Sequence, residues 1–163
     1  MNIILHEPEI PQNTGNIGRT CVATGTSLHL IEPLGFKIDD KSLKRAGMDY
    51  WKDLDVHYYT NFQDFLNKNP NANIYMATTK ALNTYSDVKF KDDDFIMFGS
   101  EGSGIPEEIL LHYKDNSIRI PMLEQYRSLN LSNSVAIVLY EALRQNSFKG
   151  CQMEGHLHRH SWS

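Results

Sequence analysis

The chain has 163 residues, 40% hydrophobic and 22% charged, which suits one soluble domain with enough interior for a real core. Its longest apolar run, Val135–Tyr140, is far short of a membrane span, and the first residues, MNIILHEPEIP, lack the basic region, long apolar stretch and cleavage site of a signal peptide. A net charge of -4 weighs against a nucleic-acid binder, because phosphate asks for positive charge, although an average can hide a local patch.

In chain order, NIILHE (2–7) reads as a strand, and Asn13 or Thr14 can cap a helix running to Thr24 and ended by Gly25. SLHLIE (27–32) is a second strand, closed by Pro33. Residues 40–46 suggest a short helix stopped by Gly47. LDVHYY (54–59) alternates like a strand, and 61–68 place Phe62, Phe65 and Leu66 on one helical face. NIYMATT (73–79) and DFIMFG (94–99) are apolar enough for buried parallel strands. PEEILLHY opens with Pro106 at a first-turn position, and SIRIP (117–121) is another short strand. Ser128 or Asn130 can cap a last helix in which Leu131, Val135, Val138, Leu139 and Ala142 share a face. Strands alternating with helices imply an α/β fold with a mostly parallel sheet flanked by helices, whose ligands bind beyond the carboxyl ends of the strands. Residues 1–147 are expected to form the domain. Residues 148–163, with His156, His158 and His160 at alternate positions, are expected to be a disordered tail or an expression remnant; a metal site there is the weaker reading. Cys21 and Cys151 form no CxxC or Cys/His cluster, so a reduced cytoplasm is the expected compartment and no metal is expected.

Three stretches stand out chemically. FGSEGSGIP (98–106) sets three glycines after a buried strand, where backbone can approach a ligand closely; it is neither a dinucleotide fingerprint nor a phosphate loop. EPEIPQNTGNIGRT (7–20) puts Gly15, Asn16 and Gly18, poor helix formers, into the first turns of a helix, with Arg19 about one turn in, near the end that repels cations. YRSLNLSNSVAIVLYE (126–141) mounts Arg127, Ser128, Asn130, Ser132 and Asn133 ahead of an apolar helix. Capping explains one or two of these, and the others read as ligand groups on a rigid support. In KIDDKSLKR (37–45), Lys41, Lys44 and Arg45 make a basic patch if they share a face.

These stretches together resemble the SPOUT superfamily of RNA methyltransferases: PxIPxNxGNxxR, FGxExxGIP and IPMxxxxRSLNLSNSVAIVLYE follow its three signature regions in order, over residues 1–146. PLGFKIDDKSLKRAGMDYW (33–51) resembles its small bacterial members that 2′-O-methylate nucleotide 34, cytidine or uridine, of leucine tRNA. The resemblance implies a deep C-terminal trefoil knot and S-adenosylmethionine bound by knot loops corresponding to Ala77–Thr79, Phe98–Gly104 and Ile120–Asn130. The cofactor residues so implied are Ala77, Gly99, Glu101, Ile120, Met122, Ser128, Leu129 and Asn130. It further implies a homodimer, with Arg19 as the catalytic group and Asn16 orienting it. Arginine is effectively never deprotonated, so an anchor for phosphate and a stabiliser of developing alkoxide is preferred to a base.

Lys41, Lys44 and Arg45 are then expected to contact phosphates of an anticodon stem-loop, with Tyr140 close to the substrate. Apolar residues beyond one face of each main helix, Val22 and Ile137, agree with a partner subunit. Two competing readings are a non-catalytic RNA-binding or assembly factor on the same fold, and a nucleotide-binding enzyme unrelated to RNA.

Overall fold

The computed structural model describes residues 1–39, 41 and 49–163. Its elements are β1 (Asn2–His6), α1 (Pro11–Thr24), β2 (Ser27–Ile31), β3 (Val56–Tyr59), α2 (Phe62–Lys68), β4 (Ile74–Ala77), β5 (Asn83–Thr84), β6 (Phe95–Phe98), α3 (Glu107–Leu110), β7 (Ser117–Arg119) and α4 (Leu131–Gln145). The strands form one sheet in the order β3-β2-β1-β6-β4-β7-β5. Every pairing is parallel, in keeping with the apolar runs that suggested it.

The sheet is buried on both faces because its central strands are apolar at successive positions. Ile3 and Leu5 of β1 join Leu28, Leu30, Ile96 and Phe98 in one cluster, covered by Ile17 and Cys21 of α1 and by Val135, Val138, Leu139 and Ala142 of α4. Ile4, Ile31, Met76 and Met97 face the opposite way and are covered by Phe65 of α2 and by Ile105. Each such fully buried side chain contributes roughly 1.5–3 kcal/mol, so the helices are held chiefly by these two interfaces.

α1 starts earlier than the sequence suggested. Its cap is Ile10, which has no side-chain cap bond, and Pro11 occupies the first turn. Asn13 and Thr14 are therefore inside the helix. Gly25 ends it at φ 65°, donating its N–H to Cys21 and Val22 carbonyls. Gly15 and Gly18 are buried, so their lack of a side chain serves packing inside the fold. α3 is only one turn, with Pro106 as its cap. The two-residue β5 escaped notice because so short a strand has no period to read. The short helix expected at 40–46 lies, except for Lys41, outside the described residues.

The C-terminal segment is partly anchored. Phe148 packs against the first core cluster and donates its N–H to the Leu143 carbonyl at 2.8 Å. Lys149 pairs with Asp92 at 3.2 Å. Beyond Cys151 the chain is mostly exposed and has no regular secondary structure.

Candidate active site

The carboxyl ends of β4, β6 and β7 open into a cavity of about 450 Å³. That lies within the range of about 300–1,000 Å³ usual for small-molecule sites, at the edge where parallel sheets bind ligands. Ala77, Gly99, Glu101, Ile120, Met122, Ser128, Leu129 and Asn130 all line it. Its inner wall is apolar, from Ile118, Ile120, Leu131 and Val138, and Thr78, Thr79 and Ser134 add hydroxyls.

Three polar residues of the cavity wall, Glu101, Asn13 and Asn130, are tied together in a chain. Both Glu101 carboxylate oxygens are engaged by the segment leading into α1. Oε2 accepts from Glu9 N–H at 2.8 Å, and Oε1 from Ile10 N–H at 3.0 Å and Asn13 Nδ2 at 3.3 Å. Glu101 thus holds the segment that leads into α1 from a distant part of the chain. Asn13 then accepts from Asn130 Nδ2 at 3.1 Å. Asn130 Oδ1 caps α4, accepting from Ser132 N–H at 2.9 Å and Asn133 N–H at 3.3 Å. Arg127, Ser128, Asn130, Ser132 and Asn133 divide by role, Ser132 and Asn133 standing in the first turn of α4. Asn130 caps, Ser132 Oγ donates to Asn130 Oδ1, Ser128 lines the cavity, and Arg127 and Asn133 face solvent.

Gly99 sits where the backbone folds back on itself. Ser100 and Gly104 form an antiparallel bridge, closed by Gly104 N–H to the Ser100 carbonyl at 3.0 Å. Gly104 has a φ of 71°.

The structure does not bring every expected residue to this cavity. Asn16, Arg19, Lys41 and Tyr140 do not line it, and Lys44 and Arg45 lie outside the described residues. Arg19 is the ninth of fourteen residues in α1, so the reasoning from a cation near the positive end of a helix fails: the helix begins well before it. Its guanidinium lies 5.0 Å from the centre of the Tyr50 ring, and it makes no ion pair among the described residues. Gln12, Asn16, Arg19 and Ala23 form the exposed stripe of α1, and Asn133, Ile137, Tyr140 and Arg144 that of α4. The two helices pack together, so the stripes border one surface. Val22 is partly covered by its own core, whereas Ile137 and Tyr140 are exposed.

Asn13, Lys80 and Ser134 were not foreseen at the site. Asn13 stands in IPQNTGN, a stretch singled out for other residues. His156, His158 and His160 do not converge with further ligands: among the described residues no group of three His, Cys, Asp or Glu side chains could hold a metal ion.

The SpoU rRNA Methylase family model matches residues 1–140. The chain belongs to this family. Two SpoU relatives are named tRNA (cytidine(34)-2′-O)-methyltransferase. That of Saccharophagus degradans is 47% identical over 150 residues, covering 91% of this chain and 97% of its own. That of Aeromonas hydrophila is 46% identical over 155 residues, covering 94% and 99%. A solved structure described as "Structural insights into the 2-OH methylation of C/U34 on tRNA" matches with a TM-score of 0.85 at 39% identity, over 90% of this chain and 95% of that one.

Proposed function

We propose that this chain transfers a methyl group from S-adenosylmethionine to the ribose 2′-oxygen of tRNA nucleotide 34, a cytidine or modified uridine, with leucine tRNA as the expected species. The observation that carries this is full-length identity of 46–47% to relatives named for that reaction. When bound, the cofactor would supply an electrophilic methyl on a sulfonium, leaving as S-adenosylhomocysteine, with the hydroxyl proton passing to solvent. This chemistry asks the protein chiefly for alignment and for stabilisation of the oxygen. The Glu101–Asn13–Asn130 chain fixes the cavity wall. Arg19, with Asn16 one turn before it, anchors phosphate and stabilises developing charge, and never has to give up a proton. Lys41, Lys44 and Arg45 supply phosphate contacts to an anticodon stem-loop, and Tyr140 lies close to the substrate.

Two finer features belong to the same reading. The first is a deep trefoil knot at the C-terminal end. It is supported by the sheet order, in which β7 is inserted between β4 and β5, strands joined by only five residues, 78–82. The second is a homodimer across the surface bordered by the exposed stripes of α1 and α4, supported by Ile137 at 38% and Tyr140 at 48% exposure in the middle of that surface. Such an interface sets Asn16, Arg19 and Tyr140 at the junction of two subunits, which accounts for their absence from the cavity of their own chain. The protein works in the cytoplasm, on residues 1–147, and the segment after 148 adds nothing to catalysis.

The test is to incubate the purified protein with unmodified and native tRNA and labelled cofactor, and to map the methyl group. Label at the 2′-oxygen of nucleotide 34 is expected. Label confined to the D-arm, the T-arm or ribosomal RNA overturns the target, and no transfer to any RNA overturns the enzyme. Sedimentation as a monomer at micromolar concentration overturns the dimer.

A further inference from the structure

S-adenosylmethionine ends in a carboxylate, and a carboxylate brought into a confined site needs a cation or several donors. Among the described residues lining the cavity, Lys80 is the one cation and Glu101 the one anion. Glu101 cannot serve, by its charge and because both its oxygens are engaged by the segment leading into α1. We propose that Lys80 receives the carboxylate of the bound cofactor, exchanging for it the protein carboxylate it holds in this structure. The inference rests on the cavity being the cofactor site.

The local geometry suits an exchange. The turn after β4 is fixed through its backbone: Thr78 N–H reaches the Ile118 carbonyl at 2.9 Å, and Lys80 N–H reaches Thr78 Oγ1 at 3.2 Å. The base of the Lys80 side chain is thus anchored while its four-carbon stem is free to swing. Its ammonium now pairs with Glu107 of α3 at 3.0 Å, and the side chains are 52% and 72% exposed. An ion pair so open to water is weak, so a better-placed anion displaces it at little cost. Glu107 then acts as a stand-in that keeps the ammonium at the cavity mouth and that competes weakly with the ligand. The consequence is recognition of the amino-acid end of the cofactor, separate from the adenine end held by the apolar wall.

The test compares binding of S-adenosylmethionine and its decarboxylated form, which lacks only the carboxylate, by calorimetry at low salt. The wild-type protein is expected to bind the decarboxylated form about fivefold more weakly. Lys80→Ala should weaken S-adenosylmethionine by about the same factor and leave the decarboxylated form unchanged. Lys80→Arg should restore most of the loss, and Glu107→Gln should tighten S-adenosylmethionine by about twofold. Lys80→Ala weakening both ligands equally, or neither, overturns the inference, as does a wild-type protein indifferent to the carboxylate. If the wild-type protein binds neither ligand, the cofactor reading of the cavity itself falls, and this inference with it.

Discussion

Replacing Gly99 by alanine adds one methyl group, and the structure says what that group meets. It would stand 2.5 Å from the Gly104 Cα and closer still to the Gly104 carbonyl carbon and the Ile105 nitrogen. These are backbone atoms, which cannot swing aside as a side chain can. An ordinary contact at that point needs a retreat of roughly 1 Å or more. The retreat works against the 3.0 Å hydrogen bond from Gly104 N–H to the Ser100 carbonyl, which closes the loop. Overpacking of this kind costs about 1–3 kcal/mol, or about 3–10 °C in melting temperature for a domain of this size. The moved segment is a wall of the cavity, so cofactor affinity should fall by about tenfold or more, each tenfold being about 1.4 kcal/mol. Calorimetric titration with S-adenosylhomocysteine, alongside a thermal melt, reads both effects. Gly155→Ala is the control, since nothing lies within 4 Å of the added carbon there and its φ is not positive. Wild-type affinity and melting temperature for Gly99→Ala would refute the account of this loop; Gly99→Val should be worse on both counts.

Arg19→Ala should lower turnover by about a hundredfold or more while leaving cofactor affinity within about twofold, as for loss of a charge-stabilising donor; equal losses of both would make Arg19 structural. His29 is buried, bonded through Nδ1 to the Tyr59 hydroxyl at 2.9 Å and through Nε2 to Asn2 Oδ1 at 3.2 Å. Burial first, and the neighbouring His57 second, push its pKa down from 6.5 to about 4, against the opposing pull of Asp55. The unfolded chain therefore takes up this proton before the folded one. The contribution is fully present above about pH 6.5 and is lost as pH falls towards 4, on the order of 3 kcal/mol in all. Denaturant melts across that window should show the slope, and His29→Gln should flatten it; an unchanged slope in the variant would assign it elsewhere. Burial pushes the Cys21 thiol up to about 12, so iodoacetamide on the native protein should modify Cys151 alone, and labelling of Cys21 at the same rate would contradict its burial.

The parallel sheet and the glycine-rich turn were legible because each had a local signature. Buried strands are short apolar runs, and a glycine-rich turn after one of them marks a close backbone approach. The eight residues implied by the family resemblance line one cavity, but residues as far apart as Ala77 and Asn130 carry no local signal that joins them. The start of α1 was not legible, because Ile10 has no capping side chain and the segment before it is held by Glu101, about ninety residues away in sequence, a contact no local pattern encodes. With the helix starting three or four residues earlier, Arg19 lies about one turn farther from its positive end than expected. Asn13 was missed for a related cause: its importance lies in joining Glu101 to Asn130, which only the folded chain brings together. Lys80 follows an apolar strand and is exposed, and nothing in its neighbours in sequence points to Glu107.

Nucleoside mass spectrometry of tRNA from a strain lacking this protein reads the proposed reaction in the cell. 2′-O-methylated nucleotide 34 should disappear from leucine tRNA while other ribose methylations persist, and the wild-type gene, but not Arg19→Ala, should restore it. Unchanged methylation at nucleotide 34, with loss at another position, would contradict the proposed reaction.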